Sequence, residues 1–293
     1  MSVPMESIIE QLPETDDKTL AESGFYWREG GPVKVLICKA LEDAGFTNGF
    51  STRLGGVSAF PEGDLNLAGF DEDTAENIHE NRRRFLAAFD GNFRLATAWQ
   101  VHGDNIRLVR SESDIEDSEV RADGLISDLS SVLVGVKTAD CVPVLLGDPA
   151  TNAFAAVHAG WRGTAQSIVS KAIEKMNATH GSVPADLICA IGPAATCENY
   201  EIGAEVIDAF KHFPESRNYF NPTRDGHALI DLHLANKDQL TAAGVDPEKI
   251  FTAPFCTMER TDLFFSYRIE KKRYGKTGRL LSVIGKNRKL LTG

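Results

Sequence analysis

Short apolar runs alternate with amphipathic stretches along the chain, and the unusual residues fall on the turns between them. Ala153-Phe154-Ala155-Ala156-Val157 is continuously apolar, the pattern of a buried strand, and it delivers His158 to the glycine-flanked turn AGWRG. Beyond that turn, Ala165, Ile168, Val169, Ala172, Ile173 and Met176 recur at helical spacing, and Gly181 closes the helix. The same reading predicts strands at Phe46–Thr52, Val132–Val136, Cys141–Leu146, Ala185–Ile191, Ile250–Phe255, Leu263–Ile269 and Arg279–Ile284. It predicts further helices at Thr74–Phe89, Ile202–Phe213 and Ile230–Ala243. Leu95–Val101 and Ile106–Val109 flank His102-Gly103-Asp104-Asn105, which reads as a hairpin or bulge. Strands come in groups as well as alternating with helices. That predicts an α+β fold with mixed sheets and helices on the outer faces, not a doubly wound parallel sheet. The residues before Gly30-Gly31 look loosely attached, so an N-terminal extension over 1–32 and a single domain over 33–293 are expected.

Composition narrows the function. The 293 residues suffice for a real core, and no repeat, low-complexity segment or Pro/Gly/Ser linker divides them. A net charge of -11, with nothing more basic than Lys271-Lys272-Arg273, argues against nucleic acid and membrane surfaces as partners. A small anion stays accessible, because a few local arginines can bind one inside an acidic protein. The acidic N-terminus lacks the pattern of a secretory signal. The longest apolar stretch, Ser131–Gly147, is interrupted by Lys137 and Asp140 and is too short for a span. A cytoplasmic location is therefore expected. Five irregularly spaced cysteines, with no CxxC, do not form a disulfide framework.

The familiar nucleotide, zincin, base-deaminase and nucleophile-elbow signatures are missing from the sequence. What remains is a trio: His102 in WQVHGDN, Cys141 in TADCVPVLL and His158 in AVHAGWRG, each at a strand end beside a turn. Two imidazoles and a thiolate suit a tetrahedral zinc with an open fourth position, and also trigonal copper. Asp140 and Asp104 are candidates to orient the imidazoles. The same residues admit a second chemistry, with Cys141 as nucleophile and His158 as its base. Spacing alone does not decide, since two histidines and a cysteine this far apart occur by chance in most chains of this length. The other five histidines, His79, His180, His212, His227 and His233, sit in polar or helical contexts. Arg53 in STRLGGVS and Arg162 in HAGWRGT lie on glycine-flanked turns, where a guanidinium can fork onto phosphate or carboxylate. Surface ion pairing is the ordinary alternative. Asn66 in DLNLAGF is polar among apolar neighbours and either binds substrate or turns the chain.

Taken in order, STRLGGVS, LNLAGFD, ENRRRF, WQVHGDNI, ADGLISD, KTADCVPVLL, AVHAGWRGT, IGPAATCENYEIG, LFFSYR and KTGR resemble the bacterial laccase-domain family over residues 46–285. Its members have been called multicopper polyphenol oxidases, purine nucleoside phosphorylases and peptidoglycan editing factors. The resemblance implies mixed sheets packed on one another with helices outside, in α/β/β/α layers. It implies one catalytic zinc on His102, Cys141 and His158, with Cys141 and His158 catalytic, and an active-site arginine at Arg53. Arg53, Asn66 and Arg162 become the expected substrate contacts. The implied activity is phosphorolysis of adenosine, inosine, guanosine and methylthioadenosine, together with adenosine deamination. Purine nucleoside and phosphate would be the partners, and a monomer is the default. Editing of peptidoglycan precursors by hydrolysis is the alternative, as is copper-dependent phenol oxidation. Seven histidines cannot supply the roughly ten or more ligands of a multicopper centre, so copper enters only as a single ion. Many relatives have a cysteine just before the tyrosine of the ENYEIG segment, where this chain has Asn199, so Cys197 is not expected in the site.

Overall fold

The computed structural model describes residues 15–59, 62–68 and 73–287. Two six-stranded mixed sheets carry the architecture. The first runs Phe25–Gly30, Val33–Cys38, Thr47–Ser51, Leu280–Lys286, Val132–Thr138 and Arg94–Ala96 from edge to edge. The second runs Ile250–Thr252, Ile188–Ile191, Val142–Gly147, Phe154–Ala159, Gly124–Ser127 and Ile106–Leu108. Most neighbours are antiparallel. Arg94–Ala96 on Val132–Thr138, Ile106–Leu108 on Gly124–Ser127 and Ile188–Ile191 on Ile250–Thr252 are parallel.

Side-chain alternation places the sheets face to face. Leu145, Ala156, Ala190 and Leu125 of the second sheet share one buried cluster with Val134, Val136, Phe50 and Ile284 of the first. The intervening residues point the other way. Val144, Leu146, Ala155, Val157 and Ile191 pack beneath the helices Ile168–His180 and Leu232–Ala242. Val35, Ile37, Leu133, Leu281 and Val283 pack with Phe85 of the helix Ala75–Leu86. Strands covered on both faces carry apolar residues at every position, which is why the central runs show no polar alternation. The layers are helix, sheet, sheet, helix, as the resemblance implies. No helix among the described residues is long and apolar enough to cross a membrane.

Four local expectations differ. Phe25–Gly30 is not loosely attached: it pairs with Val33–Cys38 along its whole length, Phe25 is buried, and Trp27 stacks on Phe255 with centroids 5.5 Å apart. The HGDN turn is not a hairpin, because the strands it joins belong to different sheets. Leu263–Ile269 is not a strand. Leu263 and Phe264 donate backbone bonds to Arg260 in a turn, and the Ser266 hydroxyl then caps the helix Tyr267–Tyr274 by accepting from Ile269 N. The segments Ile202–Phe213 and Ile230–Ala243 each begin as strand, and their helices are Ala204–Ala209 and Leu232–Ala242.

These crossings position the site. His102 lies where the chain passes from the first sheet to the second, and Cys141 lies on a second such passage, between Val132–Thr138 and Val142–Gly147. His158 is near the end of Phe154–Ala159, facing Pro143 across the ladder.

An edge strand with a fully packed phenylalanine is part of the fold. Phe25→Ala is expected to lower stability by about 3–5 kcal/mol in denaturant titration. A change within about 0.5 kcal/mol would restore the loosely attached reading.

Candidate metal centre and its cavity

One side chain organises the centre, and its signal in the sequence is weak. Asp123 is fully buried at the start of the Gly124–Ser127 strand. Its Oδ1 accepts from the His102 backbone N at 2.9 Å and lies 2.8 Å from His158 Nδ1. Its Oδ2 accepts from the backbone N of Val101 and Gly103 at 3.2 and 2.7 Å. Burial alone would push this carboxyl up. His158 and the backbone donors outweigh that and hold it below the usual carboxylate range. An ionised carboxylate only accepts, so His158 Nδ1 carries the proton and Nε2 is left to ligate. The same carboxylate pins the turn in which His102 adopts a positive φ of 58°, a conformation uncommon outside glycine.

The three predicted ligands meet. The donor atoms of His102, Cys141 and His158 all lie within 4.8 Å of one another. The two imidazoles stand edge to face, 4.9 Å between centroids. A tetrahedral zinc with N and S ligands at about 2.0–2.3 Å requires small adjustments of such a set. His158 is buried, Cys141 partly exposed and His102 exposed, so the group is closed behind and open in front. A methyl group at Gly160 would sit 3.0 Å from Cys141 Sγ and 3.3 Å from His102 Cδ2. One at Gly163 would sit 2.9 Å from the Gly103 carbonyl. The glycines of HAGWRG therefore let the two histidine turns stack on each other around the donors.

Electrostatics prepare the donors. Burial would raise the Cys141 thiol, but the His158 charge and bonds from both imidazoles bring it down to about 6. Burial would likewise depress His158, but Cys141 and Asp123 bring it up to about 9. Without metal, each group's shift favours the charged form of the other, a thiolate beside an imidazolium. A divalent cation replaces that imidazolium proton between a ready thiolate and two nitrogens. The donor set fits zinc.

The front of the group opens into a cavity of about 780 Å³. Trp99, Trp161, Tyr200 and Tyr267 contribute rings to its wall, and Arg82, Arg162, Arg268 and Arg279 contribute guanidinium groups. Burial, with the Cys141 charge, pushes the Tyr200 phenol up to about 12 against the pull of Arg268. Tyr200 is thus a neutral donor across the working range.

The remaining candidates divide. Arg162 lines the cavity, stacked 4.1 Å over Trp161 and paired with Glu205 at 3.3 Å. Arg53 does not line it. Its guanidinium binds Asp64 through Nε at 2.7 Å, and Glu270 and the Thr261 carbonyl through Nη1 at 2.8 and 2.7 Å, with Phe265 against its face. Asn66 is buried behind the wall, its Oδ1 accepting from Ala68 N and Arg279 N at 3.1 and 2.9 Å. Asp140 and Asp104 do not orient the imidazoles. Asp140, at φ 84°, accepts from Thr257 Oγ1 and Arg268 N, both at 2.7 Å, and Asp104 pairs with Lys171. That role belongs to Asp123, whose only trace in the sequence is an acid before a glycine at the head of an apolar run, in ADGLIS.

Three outcomes follow from this geometry. Cys141→Ala is expected to lose the metal while keeping the fold, and Asp123→Asn to bind it about 10–100-fold more weakly, both read by metal titration. Full occupancy in Cys141→Ala would remove the thiolate from the centre. Arg53→Ala leaves two buried carboxylates without their partner and is expected to cost about 3–5 kcal/mol of stability. An unchanged unfolding midpoint would show that the Asp64–Arg53–Glu270 cluster is not a brace.

Residues 47–287 match a family model described as multi-copper polyphenol oxidoreductase laccase. Purine nucleoside phosphorylase YlmD of Geobacillus stearothermophilus is 34% identical over 261 residues, 86% of this chain and 94% of that one. Purine nucleoside phosphorylase YfiH of Shigella flexneri is 34% identical over 236 residues, 80% of this chain and 91% of that one. The crystal structure of YlmD from Geobacillus stearothermophilus aligns at a TM-score of 0.81 and 34% identity, over 90% of this chain and 99% of that one. The hypothetical protein YfiH of Bacillus licheniformis aligns at 0.82 and 30% identity, over 89% and 99%.

Proposed function

Because the chain belongs to the multi-copper polyphenol oxidoreductase laccase family, we propose that it is a zinc-dependent purine nucleoside phosphorylase with adenosine deaminase activity. It acts in the cytoplasm, as a monomer, on adenosine, inosine, guanosine or methylthioadenosine with phosphate. One observation carries the reading: the open His102–Cys141–His158 group shares a cavity with aromatic rings and guanidinium groups. A purine offers flat faces to rings, and phosphate suits guanidinium forks. The curated relatives named purine nucleoside phosphorylase support the same substrate class.

In phosphorolysis a phosphate oxygen forms a bond to the sugar C1′ as the bond from C1′ to the purine nitrogen breaks. The electron pair leaves with the purine, which takes up a proton. A bound zinc would supply Lewis acidity at the open position. The chain's own residues supply the rest. Half-exposed Trp99 and Tyr267 present faces for the base at the cavity wall. Tyr200, held as the neutral phenol, donates a hydrogen bond. Asp123 keeps the His158 proton on Nδ1 throughout, so the ring does not rotate away from its ligand position.

A second reading has its own observation. The thiolate–imidazolium state of the metal-free pair is that of a cysteine nucleophile with its base. That chemistry suits hydrolysis of an amide in a peptidoglycan precursor. Single-ion copper and phenol oxidation make a third, and the seven histidines limit them to one centre.

Chelation separates the readings. Phosphate-dependent release of free purine is expected to disappear when the metal is removed and to return with added zinc. Iodoacetamide should label Cys141 slowly in the zinc-loaded protein and quickly after chelation. Activity that survives complete metal removal, together with rapid labelling of the loaded protein, would move the protein to the cysteine hydrolases.

A further inference from the structure

Two guanidinium groups singled out by the sequence are already occupied. Arg53 is enclosed by Asp64 and Glu270, with side-chain exposures of only 10%, 13% and 4%. Arg162 faces the Glu205 carboxylate. Arg268 differs from both. It lines the cavity that holds the metal donors, and no carboxylate among the described residues lies within ion-pair distance of it. Its Nη1 donates to the Glu201 carbonyl at 2.9 Å, and its guanidinium lies 4.9 Å from the centre of the Tyr200 ring. Its charge also acts on the Asp140 carboxyl and on the Tyr200 phenol, which bonds to it, and its remaining N–H groups are left to a ligand. A guanidinium has five N–H donors, and one carbonyl engages a fraction of them.

The backbone of Arg268 is tied to the metal group as well. Asp140, the residue before Cys141, accepts from Arg268 N at 2.7 Å and from Thr257 Oγ1 at 2.7 Å. Two residues further along the same helix, Tyr267–Tyr274, Glu270 is buried and receives Arg53 Nη1 at 2.8 Å. The helix is therefore clamped at both points within its first turn, the turn that carries Tyr267 and Arg268 to the cavity.

We propose that Arg268 is the residue that binds the phosphate co-substrate beside the metal donors, and that Arg53 acts on phosphate only through it, as a positioning residue that holds the helix by Glu270. This rests on the phosphorolysis reading for its ligand, phosphate, but not for its geometry. With a divalent cation held by His102, Cys141 and His158, an oxyanion between that group and Arg268 would meet positive charge on both sides. An Arg268 contact formed with a doubly charged anion in a partly desolvated cavity is expected to account for about tenfold to a hundredfold in affinity.

The test uses the full-length zinc-loaded protein with inorganic phosphate as the probe, in equilibrium titration and in steady-state phosphorolysis of inosine. Arg268 is exposed, so Arg268→Ala and Arg268→Lys should fold and hold zinc as the parent does, and metal content and unfolding midpoint check this. In Arg268→Ala the phosphate Kd and KM should rise about tenfold to a hundredfold, with the inosine KM changed far less. Arg268→Lys should recover part of the loss, because it restores charge without the fork. Arg53→Lys should also weaken phosphate, and the double variant Arg53→Lys/Arg268→Ala should be no weaker than Arg268→Ala alone. Phosphorolysis with an unchanged phosphate KM in Arg268→Ala would overturn the assignment and leave the functional reading intact. Phosphate binding that depends on Arg268 in a protein without phosphorolysis would uphold the site and remove the reading. Additive losses in the double variant would show that Arg53 meets the anion itself, and a parent protein that does not bind phosphate would end the proposal.

Discussion

The carboxylate of Asp123 is the constraint on which the centre depends. Its two oxygens accept from the successive backbone nitrogens of Val101, His102 and Gly103, at the entry to the HGDN turn, and from the His158 ring. Its own backbone carbonyl also accepts from His158 N, at 2.7 Å. One residue thereby sets the tautomer of one ligand and the backbone conformation of the other. The strain of His102 in left-handed backbone is held by these bonds, and it aims the imidazole toward Cys141 and not out along the strand. The glycines at 160 and 163 supply the complementary condition, an absence of side chain where the turns meet.

Around this anchor, buried charges serve as braces. Asp140 ties the Cys141 crossing to the start of the helix Tyr267–Tyr274, and Arg53 ties the middle of that helix to Asp64. Neither contacts the donors, yet both fix elements that end at the cavity. Buried charge pairs like those of Arg53 gain little net stability over apolar packing and are costly to break. Their value here is geometric: a loop, a strand end and a helix distant in sequence keep one arrangement. The two facing sheets supply the rigid frame, and the crossings between them supply the open ends at which chemistry sits.

Much of this was legible in the sequence. Central runs such as Ala153–Val157 read as buried strands because both faces are covered, and Ile168 to Met176 read as a helix packed on one of them, although Ala165, placed on the same stripe, ends a separate short helix, Trp161–Ala165, with Ser167 in left-handed backbone between the two. The trio was legible as residue types at strand ends beside turns, and the structure brings its donor atoms together. Three things were hidden. The HGDN turn reads as a hairpin whether its strands pair with each other or, as here, with Val132–Val134 and Gly124–Ile126. Arg53 in a glycine-rich turn reads the same whether it faces a ligand or a carboxylate 217 residues away. Leu263, Phe264 and Phe265 are buried as a strand would bury them, but they are anchors of a turn. In each case the deciding partner is remote in the chain, and local pattern carries no record of it.

The donors imply a single metal ion held by one thiolate and two imidazoles, with its remaining position facing the cavity. X-ray absorption at the metal edge of the purified protein measures that shell directly. The expected result is zinc with one sulfur at about 2.3 Å and two nitrogens at about 2.0–2.1 Å, plus one light atom that changes when substrate is added. A shell with no sulfur, with two or more, or with a fourth protein ligand that no addition perturbs would contradict it.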